Sequence, residues 1–343
     1  MPNITTIGLD LAKNVFQVHG VDKSGRKIFG RKLRRDEVLS FFQTLPPCTV
    51  AMEACATSNY WSREIGVLGH RCRIIPAQYV KPFVKRGKTD AYDAEAIAIA
   101  SSQEGMRFVP IKSEKQQAAA QLFKTRSLLV RQRSRSGNAL RGLVAEYGTV
   151  VRTGAVGLSK LVDIVRGNNN AVPDEARFAL LTICDLIDAL SSKIERLDER
   201  IRHLAKENKD TSRLLTIPGV GPIVASAVAA YVPDPAMFKS ARHFASWIGL
   251  TPKQNSSGGS LRSGKISKMG NTELRSLLFL AGKVLLLRSK RAFGSDWLER
   301  LAERRPLRVA AIAVANKVAR IIWAVLSKGE AFQTREPVKP IAG

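Results

Sequence analysis

ITTIGLDLAKNVFQVHGVDKSGRKIFGRKL, residues 4–33, decides the fold of the first third of the chain. Ile4–Leu9, Val15–Gly20 and Lys27–Leu33 are short apolar segments, and Asp22-Lys-Ser-Gly25 supplies a turn before the third, so the stretch reads as a meander of three strands. Outward from it, Asp36–Leu45 reads as a helix stopped by Pro46-Pro47, Cys48–Met52 as a fourth strand, a second helix opens near Thr57 or Ser58, and Cys72–Ile75 is a fifth strand before Pro76. Hairpin strands followed by alternating helices and strands imply a layered, mixed α/β sheet.

The rest of the chain changes character. Residues 112–148 read as helix and carry Lys124, Arg126, Arg131, Arg133, Arg135 and Arg141 with no acid between Lys115 and Ala145, which favours a phosphate-facing surface over a merely solvated one. Gly154–Asn170 is rich in Gly and Asn and reads as a linker. Ile183, Ile187, Leu190, Ile194, Leu197, Ile201 and Leu204 then alternate spacings of four and three, a heptad seam that serves either self-association or packing on the same chain. In LLTIPGVGPIVA, 214–225, Gly219 and Gly221 separate two apolar helical segments, as in a helix-hairpin-helix turn whose backbone N–H groups approach a phosphate. Lys239–Arg291 holds eleven basic residues and one acid, Glu273, around the low-complexity loop 254–264. Asn271-Thr-Glu opens a helix running to about Arg288, and Leu307–Leu326 forms another, ended by Gly329.

Composition limits the function. The chain has 343 residues, 55 Lys or Arg against 29 Asp or Glu, a net charge of +26 and a pI near 10.4, which makes a polyanion the default partner. At roughly 100–200 residues per domain the length allows about two domains. Cys48, Cys55, Cys72 and Cys184 form no Cys-x-x-Cys pair, so neither a disulfide framework nor a zinc site is expected and a reducing cytoplasm fits. The N-terminus lacks the pattern of a signal peptide, and the longest apolar run, Leu277–Leu287, is too short to span a bilayer, so no membrane partner is expected.

Eight acids lie in the first 93 residues, and four stand where a metal site would need them. Asp10 ends the first strand, Glu53 ends the fourth, and Asp90 and Asp93 are three apart on one helix, projecting about 60° from each other on a shared face. Glu95 points away. Clustered carboxylates suit Mg²⁺ or Mn²⁺, which orient a phosphodiester for in-line displacement.

Those words match a family. GLDLAKNVFQVHGVD (8–22), AMEACATSNYW (51–61) and GKTDAYDAEAIA (87–98) resemble the Asp-Glu-Asp-Asp domain of transposases of the insertion-sequence one-ten family, especially its one-one-one-one subgroup. LLTIPGVGPIVASAV, FASWIGLTPKQNSSGG and KISKMGNTELRSLLF resemble its second domain, so the likeness runs from Ile7 to about Leu326. The resemblance implies an RNase H/RuvC-like α/β N-terminal domain over 1–110 and a mainly helical transposase domain with the helix-hairpin-helix element over 211–330; between them the basic run and the heptad seam read as basic helices and a coiled-coil region over 111–210, which suggests a dimer or tetramer, and the Pro- and Gly-containing tail over 331–343 reads as disordered. The resemblance also implies a bacterial, nucleoid-associated recombinase that joins element and target DNA, aided by a structured guide RNA.

The family's Ser-Gly word falls on Ser257-Gly258, which makes Ser257 the implied nucleophile, with Ser256 as the neighbouring alternative. A serine hydroxyl needs activation and a cationic clamp on its phosphate, and Arg262, Lys265 and Lys268 follow closely. Cys55, beside Glu53, departs from the small or glycine-rich run common in the family and reads as packing. Two other activities share these features: a metal-dependent nuclease of Holliday-junction type, and a non-catalytic RNA- or DNA-binding protein. An actin-like ATPase is discounted because no glycine-rich phosphate loop follows Asp10.

Overall fold

The computed structural model describes residues 4–85, 89–167, 172–232, 234–255, 262–288, 292–293 and 296–333. The chain divides into two compact units, Met1–Lys115 and Gln116–Gly343.

The first unit is built on a five-stranded sheet of order β3-β2-β1-β4-β5. Strands β1 (Thr6–Asp10), β2 (Val15–Val21) and β3 (Lys27–Arg34) form the expected antiparallel meander, and β4 (Thr49–Glu53) and β5 (Arg71–Ile75) extend it in parallel with β1. Alternation along the strands sorts residues to two faces. Ile7, Leu9, Phe16, Val18, Val50 and Met52 form one core with Phe42 of α1 (Val38–Gln43) and with Trp61 and Ile65 of α2 (Ser58–Val67). The opposite face, with Ala51 and Ile75, takes Val80 of α3 (Ala77–Val80) and Ala96, Ile97 and Ala100 of α4 (Asp90–Ser102).

Helix α4 lies unusually close to the sheet. A Cβ on Gly8 would stand 2.1 Å from the carbonyl oxygen of Ala94 and 2.7 Å from the amide nitrogen of Ala98, so only glycine fits beneath this alanine-rich helix. The helix starts where Thr89 caps it, its Oγ1 accepting from the Tyr92 N–H at 3.4 Å, and Asp90 and Asp93 fall in the first turn, where the helix dipole favours negative charge.

The second unit is helical. Helix α5 (Glu114–Ala145) begins at the unit boundary, and α6 (Ala155–Arg166) and α7 (Asp174–Glu207) follow. Leu140 and Val144 of α5, Leu161, Val162 and Val165 of α6, and Leu180, Cys184 and Ile187 of α7 form one core. The linker reading of 154–170 is therefore corrected over Ala155–Arg166, while 168–170 lie outside the described residues: Leu158, Leu161, Val162 and Val165 recur at helical spacing, and Gly154, at φ 101°, gives the chain its entry turn. The heptad seam also finds its partners within the chain, with Ile187, Leu190, Ile194 and Ile201 buried and Ile183, Leu197 and Leu204 half-buried.

Helices α8 (Lys209–Leu214), α9 (Pro222–Tyr231), α10 (Ala241–Ile248), α11 (Thr272–Arg288), α12 (Trp297–Arg304) and α13 (Leu307–Lys328) make the remaining core, to which Ala120 and Phe123 of α5 and Ile201 of α7 also belong. Between α10 and α11, β6 (Pro252–Gln254) and β7 (Ser263–Ile266) pair as a hairpin. Among the described residues α13 alone is long and apolar enough to cross a membrane by length and composition, a pattern the reading from the run Leu277–Leu287 missed. Its Ala310, Ala311, Val314, Ala315, Val318 and Ile322 are buried in this core. The tail 331–343 starts anchored rather than free: the Phe332 N–H donates to Thr216 Oγ1 at 2.8 Å, and residues from 334 onward lie outside the described ones.

Replacing Gly8 by Val is expected to cost at least the roughly 1–3 kcal/mol typical of overpacking, because the clash is with backbone. Gly66→Ala, on the exposed side of α2 with nothing within 4 Å of the added Cβ, is expected to be neutral or stabilising by up to about 1 kcal/mol. Chemical denaturation of the two variants checks both.

Candidate metal centre and nucleic-acid surfaces

The register of the sheet builds the acidic site. Leu9 pairs with Met52 across the parallel β1–β4 ladder, so Asp10 and Glu53 emerge side by side at the C-terminal ends of adjacent strands. Gly8 and Ala51 face α4, and by alternation so do Asp10 and Glu53. The close seating of α4 then brings its first turn over the strand ends: ligand oxygens of Asp10, Asp90 and Asp93 all lie within 4.8 Å of one another. Glu53 is not part of that tight group but is electrostatically coupled to it.

Such proximity has a cost. Burial first, then the charges of Asp93, Asp90 and Glu53, push the Asp10 carboxyl up to about 6. Burial and Asp93 likewise raise Glu53. Glu95, expected to point away from Asp93, stands outside that group and pairs with Lys85, its Oε1 accepting from Nζ at 2.7 Å.

Two residues of the site escaped the sequence reading. Gln17 stands opposite Asp10 and His19 opposite Gly8 in the antiparallel β1–β2 ladder, so both face α4, and both are buried. The Oε1 of Gln17 is buried and accepts no hydrogen bond among the described residues, an orphaned acceptor beside a carboxylate cluster. Burial holds the His19 imidazole below its usual value, so it faces the helix neutral at pH 7. The signal was present in Val15-Phe16-Gln17-Val18-His19, where polar residues two apart mark one face of an otherwise apolar strand.

An all-oxygen set of three converging carboxylates, a fourth coupled to them, and an unsatisfied amide oxygen fits a hard divalent cation such as Mg²⁺ or Mn²⁺. A cation held there would offset the like-charge repulsion that adds to burial in raising Asp10. Cys55, read as packing, is exposed, its Sγ 3.6 Å from Thr57 Oγ1.

In the second unit the expected nucleic-acid residues divide. Arg126 is committed elsewhere: its Nε and Nη2 donate to the two carboxylate oxygens of Asp198 on α7, the second at 3.1 Å, with both side chains largely buried. It belongs to the frame joining α5 to α7. Arg141 is similarly used, donating to the carbonyls of Gly137 and Gly154 and to Asn138. Lys124, Arg131 and Arg135 are exposed, Arg131 donating to Ser127 Oγ of its own helix at 3.0 Å, and Arg133 is half-buried with Ser191 Oγ at 3.5 Å.

Gly219 sits at φ 79° in the turn between α8 and α9, and an added Cβ would stand 2.7 Å from Leu285. Gly221 precedes α9 at its N-cap with open space on its Cβ side. Ser257 and Ser256 lie outside the described residues, but the base of their loop is described. Arg275, buried on α11, donates to the carbonyls of Ile248 and Met269, both at 2.8 Å. Gly249 and Gly270, both at positive φ, let the two ends of the hairpin cross where a Cβ would stand about 2 Å from the opposing backbone, 2.2 and 1.9 Å respectively. Asn316 of α13 donates to the Leu250 carbonyl at 3.2 Å. Arg262, Lys265 and Lys268 are exposed on this hairpin, Lys268 in the left-handed region at φ 56°.

Three expectations follow. Without divalent ions, Asp10 ionises near 3.8 when unfolded and near 6 when folded, so the folded state binds its proton more tightly and stability falls as pH rises through that window. Asp10→Asn should remove that slope and raise metal-free stability at pH 7 by about 1–2 kcal/mol after screening by solvent; melting curves against pH in chelator check it. Arg126→Ala should cost about 2–3 kcal/mol by stranding Asp198, as read by denaturation. Neutralising Arg131, Arg133 and Arg135 together should spare stability but lower nucleic-acid affinity and its salt slope, measured by titration at several ionic strengths.

Comparisons with known proteins place the chain in a family. A family model described as a transposase with the Asp-Glu-Asp-Asp domain of IS110 matches residues 7–149, and one for the transposase IS116/IS110/IS902 family matches 211–297. A "Probable family 20 transposase" of Pseudomonas aeruginosa is 44% identical over 96% of this chain and 99% of its own. The transposase for insertion sequence element IS1111A of Coxiella burnetii is 38% identical over 97% and 92%. A pilin gene-inverting protein of Moraxella bovis is 27% identical over 82% and 81%. With near full-length identity of this order to named transposases, the chain belongs to the IS116/IS110/IS902 family of transposases.

Proposed function

We propose that this transposase is a metal-assisted DNA recombinase that joins element and target DNA through a covalent serine–DNA intermediate. The observation that carries the reading is the convergence of Asp10, Asp90 and Asp93, with Glu53 beside them, at the strand ends under α4. The first unit, with its mixed sheet and acids at strand ends, fits an RNase H/RuvC-like domain. A Mg²⁺ or Mn²⁺ ion held by these carboxylates supplies positive charge that neutralises phosphodiester oxygens. Gln17, with its free acceptor, suits the same ion or a water bound to it.

Ser257 is the proposed nucleophile, with Ser256 the alternative. In the step proposed, the Ser257 Oγ–P bond forms, the P–O ester bond to the departing strand breaks, and the serine proton ends on the departing hydroxyl. One phosphodiester replaces another, so reversal onto a second strand needs no energy source. The braced base of the hairpin supports the reading, because a nucleophile must be held within a narrow range of geometry. Arg262, Lys265 and Lys268 are the proposed clamp on the phosphate.

DNA contacts are proposed for Lys124, Arg131, Arg133 and Arg135 and for the Gly219–Gly221 turn, the proposed helix-hairpin-helix element. A structured guide RNA from the element is the further partner the family resemblance implies. A homo-oligomer is supported less by the seam, which is used within the chain, than by Phe178 and Leu186, exposed on α7. The bacterial cytoplasm, on the nucleoid, is the proposed location.

The test is a protein–DNA adduct that survives denaturation, formed with Mg²⁺, DNA carrying the element ends and RNA from its flanks, and mapped by mass spectrometry. Ser257→Ala should abolish the adduct while leaving nucleic-acid affinity within about twofold, since no positive charge is removed. Asp10→Asn should reduce the adduct by about 100-fold or more with affinity similarly retained. Cleavage without any adduct would replace this reading with the metal-dependent nuclease.

A further inference from the structure

The helical unit contains a concave surface lined by α13 and the β6–β7 hairpin. It is a cleft of about 1390 Å³ between α13 and the β6–β7 hairpin, larger than the roughly 300–1,000 Å³ usual for a small-molecule site. Five cations line it, Lys265 and Lys268 from the hairpin side and Arg308, Lys317 and Arg320 from one face of α13, with no carboxylate among its lining residues. Its floor is apolar, made by Phe279, Trp297, Ile312 and Ile321.

The positions on α13 are ordered. Arg308, Ile312, Asn316 and Arg320 follow one another at intervals of four, so the two arginines stand about 18 Å apart along the helix with an isoleucine and an asparagine between them. Lys317 is fixed rather than free to wander: its Nζ lies 4.2 Å from the ring centroid of Trp297 and 4.5 Å from that of Phe293. An ammonium held between two rings has lost conformational freedom before any ligand arrives, which strengthens its attraction for an anion.

Cations at the rim, apolar side chains at the floor and no acid describe a ligand with a charged backbone and flat apolar faces. We propose that this cleft binds a short unpaired stretch of DNA strand, with phosphates on Arg308, Lys317 and Arg320 and unstacked bases against the apolar floor. The inference rests on the reading that the protein acts on DNA, and it adds to that reading a preference for single-stranded over duplex DNA at this place. In a duplex the bases are stacked on one another and cannot reach the floor.

The full-length protein would be titrated with a fluorescent ten-nucleotide single strand and with the blunt duplex of the same sequence, at several salt concentrations, with melting curves confirming that each variant folds. Arg308→Ala with Arg320→Ala should weaken single-strand binding about tenfold or more and reduce the salt slope by about 1.4, at roughly 0.7 per phosphate contact. Trp297→Ala should weaken it several-fold by releasing Lys317, while Trp297→Phe keeps a ring beneath the ammonium and should restore most of the loss. Duplex binding should change by less than about threefold in all of them. Equal losses for strand and duplex, an unchanged slope, or the same loss from Arg196→Ala, an exposed charge on α7, would overturn the proposal. The serine reading fails separately. An adduct at Ser257 with no single-strand preference would sink only the cleft, and a single-strand preference without any adduct would sink only the serine.

Discussion

The approach of α4 to β1 at Gly8 is the constraint on which the first unit depends. A strand residue with any side chain would hold the helix away from the sheet, because the space is already taken by the backbone of Ala94 and Ala98. The alanines at 94, 96, 98 and 100 serve the same end from the helix side. The result is electrostatically unfavourable for the protein alone, since a helix terminus bearing Asp90 and Asp93 is pressed onto Asp10 and Glu53, and burial first, with that repulsion added, raises both Asp10 and Glu53. A fold that stores repulsion at one place, paid for by the packing around it, is arranged for a positive ligand.

The helical unit solves a different problem, that of holding a glycine- and serine-rich loop on a firm base. Arg275 is the centre of that solution: a buried guanidinium whose partners are two backbone carbonyls and Thr272, spent on fixing where the chain enters and leaves the hairpin. Gly249 and Gly270 allow the two ends to cross, and Asn316 ties the entry to α13. The same helix presents Arg308, Lys317 and Arg320 to the cleft beside the hairpin, so one element serves core, brace and surface.

Much of the fold was legible because it rests on local patterns. The meander and the helices ending at Arg288 and near Gly329 follow from periodicity and punctuation, and strand ends with helix spacing pointed to the neighbourhood in which Asp10, Asp90 and Asp93 converge, with Glu53 outside the tight group. What escaped depends on partners distant in sequence. Arg126 looked like a surface charge until Asp198, 72 residues away, was placed beside it. The segment at 154–170 looked like a linker because glycines at 154 and 157 and its terminal asparagines masked an amphipathic helix. Gln17 was hidden in a strand read only for its apolar residues, and its importance appears only through the register that sets it opposite Asp10. The cleft on α13 drew on charges scattered from Lys265 to Arg320, which no local motif connects.

If the packing at Gly8 turns Asp10, Asp90 and Asp93 into a divalent-cation site, anomalous scattering from crystals of the protein grown with Mn²⁺ will show it. The expected result is a peak bound by oxygens of Asp10, Asp90 and Asp93, with Glu53 or Gln17 completing its shell directly or through water. A fully ordered acidic site with no peak, or a peak held by other residues, would contradict it.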